Sequence, residues 1–122
     1  MKKVLIVEDE AALRKVYVML FNMQKFKVYE APHGKLALEQ LDTVKPDIII
    51  LDVLMPVMGG IEFLEKVDVK KKYPKMKILV LSNLSDPKTL DQIEKLGATK
   101  YLLKAGTSPT ELIDAVKQLL ET

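Results

Sequence analysis

The stretch Asp47-Ile48-Ile49-Ile50-Leu51-Asp52 decides the architecture: four consecutive apolar residues, three of them β-branched, closed by Asp52. A strand that is apolar on successive rather than alternate positions belongs in a sheet covered on both faces, and such sheets are parallel. This run is the most apolar of the chain and is expected at the sheet centre. Upstream, Val4-Leu5-Ile6-Val7 has the same character and ends in Glu8-Asp9. Downstream, Ile78-Leu79-Val80-Leu81 ends in Ser82, and Tyr101-Leu102-Leu103 ends in Lys104.

Helical patterns separate these runs. Leu13, Val16, Leu20 and Met23 recur at helical spacing through residues 10–24 and predict the buried stripe of a first helix. Phe26-Lys27-Val28-Tyr29-Glu30 alternates apolar and polar residues, which predicts a half-exposed strand at a sheet edge. After Pro32-His33-Gly34, a second helix carries Leu36, Ala37, Leu41 and Val44. It ends at Lys45-Pro46, because the residue before proline is steered out of the α region. Pro56 and Gly59-Gly60 punctuate the next loop; a helix over 60–72 then buries Ile61, Leu64 and Val67 until Pro74 stops it.

The strand over 76–82 leads to Ser85-Asp86-Pro87, which supplies cap candidates and an N1 proline for a helix on Leu90, Ile93 and Leu96. Gly97 is placed as its C-terminal glycine. A last strand over 99–104 precedes Ser108-Pro109-Thr110-Glu111, a capping box that opens a helix on Leu112, Val116, Leu119 and Leu120. Repeated strand–helix units with short loops imply an α/β fold: a parallel sheet with right-handed crossovers and helices on both faces. With the alternating strand at the edge, the five strands take the order 2-1-3-4-5.

Composition sets the outer bounds. A length of 122 residues, 48% hydrophobic and 30% charged, fits a single domain, residues 1–122, with a core that needs no staples. The net charge of +2 argues against a nucleic-acid binder driven by bulk charge, and the absence of cysteine excludes disulfides, thiolate metal sites and thiol nucleophiles. Five apolar residues at most precede Glu8, too few for a signal peptide, and no run approaches the ~20 apolar residues of a membrane span. A cytoplasmic location, no membrane or nucleic-acid partner and a monomer or weak dimer are the expectations.

In open parallel sheets, ligands bind beyond the carboxyl ends of the strands where the strand order reverses. That rule gathers Glu8, Asp9 and Asp52 into one crevice, with Ser82 and Lys104 to one side. Crowded carboxylates repel and are costly to bury unpaired, so a divalent cation resolves the arrangement. A hard cation flanked by a hydroxyl and an ammonium suits a phosphoryl group.

Taken in order, Ile6-Val7-Glu8-Asp9-Glu10, Leu51-Asp52-Val53-Leu54-Met55-Pro56 with Gly59-Gly60, and Tyr101-Leu102-Leu103-Lys104 make the whole chain resemble a receiver domain of two-component response regulators, the single-domain chemotaxis type included. The resemblance implies a flavodoxin-like (βα)5 fold and a receiver with no output domain in this chain. It implies that Asp52 is the phosphoacceptor, that Asp9 binds Mg2+ directly and Glu8 through a water, and that the backbone carbonyl of Leu54 is a further ligand. Ser82 and Lys104 would bind the phosphoryl group, and Ser82 with Tyr101 would form the switch. The donor would be a histidine kinase or a phosphotransfer protein, since the chain has no glycine loop for ATP. The implied protein is not an enzyme beyond its own phosphorylation and slow dephosphorylation. It would signal to an unknown protein target through the surface of the fourth helix, fifth strand and fifth helix.

Three positions depart from the commonest receiver pattern. Glu8 replaces a first aspartate, Asn83 follows the hydroxyl where a small residue is usual, and Ala105 follows the lysine where a cis proline is frequent. A cis bond before alanine costs about 3–4 kcal/mol, so that loop is expected to be trans or strained. Leu54 and Leu84, two residues beyond Asp52 and Ser82, are apolar and cannot orient a hydrolytic water, which predicts a long-lived phosphorylated state. A metal-dependent phosphatase or phosphotransferase on small molecules is the alternative class, disfavoured because it needs a second aspartate where Leu54 stands. A phosphorylation-free scaffold and a flavin carrier fit the residues less well. His33 reads as a surface or capping residue, and Lys70-Lys71-Lys72 with Lys75 and Lys77 as a solvated helix end.

Overall fold

The strands of the computed structural model, which describes residues 1–55 and 57–121, are β1 (Lys3–Val7), β2 (Lys27–Ala31), β3 (Ile48–Leu51), β4 (Lys77–Ser82) and β5 (Lys100–Leu103). They form one parallel sheet in the order β2-β1-β3-β4-β5, as the patterning requires. Among the described residues no helix is long and apolar enough to cross a membrane. The expectation for Pro56 lies outside the described residues.

Five helices cover the sheet: α1 (Ala11–Met23), α2 (Gly34–Val44), α3 (Gly60–Val67), α4 (Pro87–Lys95) and α5 (Pro109–Leu120). Alternation along the central strands splits the core into two layers. Val4, Ile6, Ile48, Ile50, Leu79 and Leu81 face α1 and α5 through Phe21, Leu112, Ile113 and Val116. Leu5, Val7, Ile49, Leu51, Ile78 and Val80 face α2, α3 and α4 through Ala37, Leu41, Phe63, Leu64, Val67 and Ile93. The edge strands β2 and β5 are only partly buried, which is why their sequences carry polar residues.

Two elements differ from the sequence reading. The expected stripe of α1 was Leu13, Val16, Leu20 and Met23, but Phe21 is the buried anchor, and Val16 and Met23 are 52% and 72% exposed. The helix is apolar on more than one face, so spacing alone cannot choose the face that docks. The helix expected over 60–72 is broken at Asp68, which adopts a left-handed conformation with φ 51° before a single helical turn, Val69–Lys72. The break lets Val67 and Val69 both be buried, at 1% and 3% exposure. Residues two apart in an unbroken helix do not share a face.

The punctuation residues behave as their chemistry dictates. Asp86 accepts the Thr89 N–H at the start of α4, and Ser108 and Glu111 complete a reciprocal capping box on α5. His33 caps α2 by accepting the Leu36 N–H through Nδ1. Gly97, with φ +106°, closes α4 in a conformation open to glycine, and a side chain there would collide with Val69.

Gly60 is the tightest contact near the carboxyl ends. A β-carbon there would lie 2.5 Å from Val53 Cα, and the backbone cannot yield cheaply. Gly60→Ala is expected to cost about 1–3 kcal/mol of stability, read from the urea midpoint, because overpacking forces the backbone to shift. An unchanged midpoint would show that the Val53 loop is free to move.

Candidate functional site

The register of the sheet builds the site. Val7 pairs with Leu51 at the ends of β1 and β3, so the residues just beyond, Glu8 and Asp52, emerge side by side about 4.8 Å apart in backbone terms. Ser82 pairs with Leu103 at the ends of β4 and β5, which brings Lys104 back toward them. Carboxylate oxygens of Glu8, Asp9 and Asp52 all lie within 4.8 Å of one another. Glu8 and Asp52 are buried, Asp9 is exposed at the mouth, and Ser82 is fully buried.

Lys104 organises the buried half. Its Nζ donates to Glu8 Oε1 at 2.7 Å and to Asp52 Oδ2 at 2.9 Å. The other oxygens are also engaged: Asp52 Oδ1 accepts the Leu54 N–H at 3.0 Å, and Glu8 Oε2 accepts the Glu10 N–H at 3.1 Å. Burial pushes the Glu8 carboxyl above the usual range, opposed by the Lys104 ammonium and the Glu10 amide. The two carboxylates raise the Lys104 ammonium above the ordinary lysine range, although burial pulls it down.

Around this pair the β4–α4 loop is tied to β5. Ser82 Oγ accepts the Leu84 N–H at 3.4 Å. The Tyr101 hydroxyl points inward and shares its proton between the carbonyls of Ser82, at 2.9 Å, and Leu84. Burial raises the Tyr101 phenol above its usual range, with the Asp52 charge adding to it. The Lys104–Ala105 bond is trans, since no cis bond occurs among the described residues, and Lys104–Gly106 form a 3-10 turn.

Every residue singled out from the sequence for the site therefore sits at one end of the sheet, with Leu54 on the rim, its side chain exposed and its amide on Asp52. Lys77 begins β4 at the opposite end, beside Lys75 and Lys2. Two contacts escaped the sequence reading. Arg14, the only arginine, donates from Nη1 to the Glu8 carbonyl at 2.7 Å and pairs through Nε with Glu30 at 2.9 Å, fastening β1, α1 and β2 behind the acids. A lone arginine one turn after an acidic pair was a signal available in the sequence. Asn83 accepts the Ala105 N–H on Oδ1 at 2.8 Å, a bond no pattern announces.

An all-oxygen set of three carboxylates is the chemistry of a hard divalent cation, and Mg2+ needs few protein ligands because it keeps several waters. Glu8, Asp9 and Asp52 are the residues that could together hold such an ion.

Comparison with known proteins agrees with this construction. The profile of the response regulator receiver domain family matches residues 4–117. The transcriptional regulatory protein YdfI of Bacillus subtilis is 36% identical over 112 residues, 90% of this chain and 51% of that protein. Chemotaxis protein CheY of Thermotoga maritima is 30% identical over 119 residues, 97% of each chain. The solved structure of chemotaxis protein CheY4 of Vibrio cholerae has a TM-score of 0.89 at 31% identity, covering 98% of each chain. The chain thus spans about half the length of YdfI and nearly all of the two chemotaxis proteins. Strand order, converging carboxylates and sequence all lead to one family, and the chain belongs to the response regulator receiver domains of two-component signalling.

Proposed function

We propose that Asp52 accepts a phosphoryl group from a histidine kinase or a phosphotransfer protein, with Mg2+ held by Glu8, Asp9, Asp52 and the Leu54 carbonyl. The observation that carries this reading is the Lys104 ammonium seated between Glu8 and Asp52, beside three converging carboxylates. An Asp52 oxygen attacks phosphorus, a new P–O bond forms, and the bond to the donor breaks with its electron pair leaving on the donor. Held by Glu8, Asp9 and Asp52, Mg2+ would neutralise charge and polarise the transferring oxygens. Lys104 offsets the repulsion between anionic nucleophile and anionic donor, and Ser82, buried beside β5, offers its hydroxyl proton to the new phosphoryl oxygens.

The switch follows from the same groups. Once Ser82 turns toward the phosphoryl group, the Tyr101 bonds to the Ser82 and Leu84 carbonyls are re-weighted, which shifts the population of packings at α4, β5 and α5. The groove between α4 and β5, lined by Leu90, Ile93, Lys100 and Tyr101, is the surface that changes and the one offered to a protein target. A small-molecule phosphatase remains disfavoured: Leu54 offers no acid–base group at the position such an enzyme needs.

The test is phosphorylation by acetyl phosphate, followed by intact mass. One phosphoryl group is expected with Mg2+ and none with EDTA; no gain with Mg2+ contradicts the reading. The group is expected to persist for minutes or longer after the donor is removed, because Leu54 and Leu84 present no water-orienting atom. Loss within seconds would refute the slow hydrolysis.

A further inference from the structure

The bond between Asn83 and Ala105 lies just beyond the last pair of the β4–β5 ladder, Ser82 with Leu103. At the start of β5, the Thr99 N–H donates to the Ile78 carbonyl at 2.7 Å. Parallel ladders repeat every second residue, so the same series carried upward would send the Ala105 N–H to the Leu84 carbonyl. The Ala105 N–H goes instead to Asn83 Oδ1 at 2.8 Å. The bond joins the neighbour of Ser82 directly to the neighbour of Lys104.

From this we infer that Asn83 is a positioning residue for Lys104: its side chain holds the 3-10 turn 104–106 against β4 so that the ammonium stays between Glu8 and Asp52. Among the described residues the turn's other backbone and hydroxyl bonds stay within residues 103–107 and do not reach β4. Thr107 Oγ1 donates to the Leu103 carbonyl at 2.8 Å and the Thr107 N–H to the Lys104 carbonyl at 3.4 Å, both inside the turn itself. Asn83 and Ala105 are exposed, so the link contributes alignment rather than core stability. A small apolar residue at 83 would leave the Ala105 N–H to solvent and the turn free to carry Lys104 away from the acids. The link also ties any movement of Ser82 to Lys104 by one hydrogen bond. This last consequence rests on the phosphorylation reading; the alignment itself does not.

Two arms test it separately. In unphosphorylated protein, Asn83→Ala is expected to speed exchange of the Ala105 amide about fivefold, the loss of one hydrogen bond. Acylation of the Lys104 ε-amine, located by peptide mass, is expected to rise several-fold while other lysines are unchanged. Asn83→Asp, which keeps an acceptor oxygen, restores both values. Unchanged Lys104 acylation in Asn83→Ala, or failure of Asn83→Asp to restore it, overturns the inference.

The second arm follows phosphoryl uptake from acetyl phosphate with Mg2+. Asn83→Ala is expected to lower the rate at saturating donor about tenfold and leave the half-saturating concentration unchanged, as misplacement of one charge-stabilising group does. A normal rate with rapid Lys104 acylation would show that alignment is irrelevant to transfer and overturn its functional half. If the wild-type chain takes up no phosphoryl group, the proposed function fails while the first arm still decides the alignment.

Discussion

Asp52→Asn is expected to take up no phosphoryl group from acetyl phosphate and Mg2+ under conditions in which the wild type gains one. Asparagine is nearly isosteric, and its amide oxygen can still accept the Leu54 N–H that now bonds Asp52 Oδ1 at 3.0 Å. Lys104 keeps its 2.7 Å bond to Glu8. The variant therefore folds, and what it loses is the nucleophilic carboxylate and one anionic metal ligand. Circular dichroism and thermal unfolding establish the fold, and intact mass reads the transfer. Uptake at wild-type level would place the acceptor elsewhere, with Asp9 the nearest candidate.

Replacing Lys104 by methionine has the largest expected effect on stability. The ammonium lies between two buried carboxylates at 2.7 and 2.9 Å, and its removal leaves them facing each other unpaired. Breaking a buried pair in this way costs about 3 kcal/mol, read from urea unfolding at neutral pH without divalent ions. The sign with pH is determined by Glu8, whose carboxyl is already raised by burial despite Lys104. Without the ammonium it rises further. A raised carboxyl favours the folded state below its unfolded pKa and loses that contribution as pH climbs through its folded value. The deficit of Lys104→Met should therefore be largest at neutral pH and close toward acid, where Glu8 is protonated. Mg2+ should narrow it too, by stabilising the variant through mass action at the same carboxylates. A deficit independent of pH and Mg2+ would mean that Lys104 contributes packing rather than charge.

The sheet was legible because its central strands are buried on both faces and leave continuous apolar runs, each stopped by the residue that carries chemistry. Once Val4–Val7 and Ile48–Leu51 are neighbours, the positions of Glu8 and Asp52 follow from register, so the site came with the fold. The docking face of α1 was not legible, since Val16 and Met23 have the hydrophobicity of core residues and only the packing of Phe21 shows which side is inside. The break at Asp68 was hidden for a related reason: burying both Val67 and Val69 is a tertiary demand that overrides local helix propensity. Asn83 and Ala105 each read as a departure from the usual receiver pattern, and only the structure joins them in one bond.

Paramagnetic Mn2+ added in small amounts to the 15N-labelled protein probes the metal site without any phosphodonor. Glu8, Asp9 and Asp52 offer oxygens within 4.8 Å of one another, so one ion among them should broaden the amide signals of Asp9, Val53 and Leu54 first, and excess Mg2+ should restore those signals. Broadening centred on other carboxylates, or spread evenly over the surface, would contradict a shared cation at the carboxyl ends of β1 and β3.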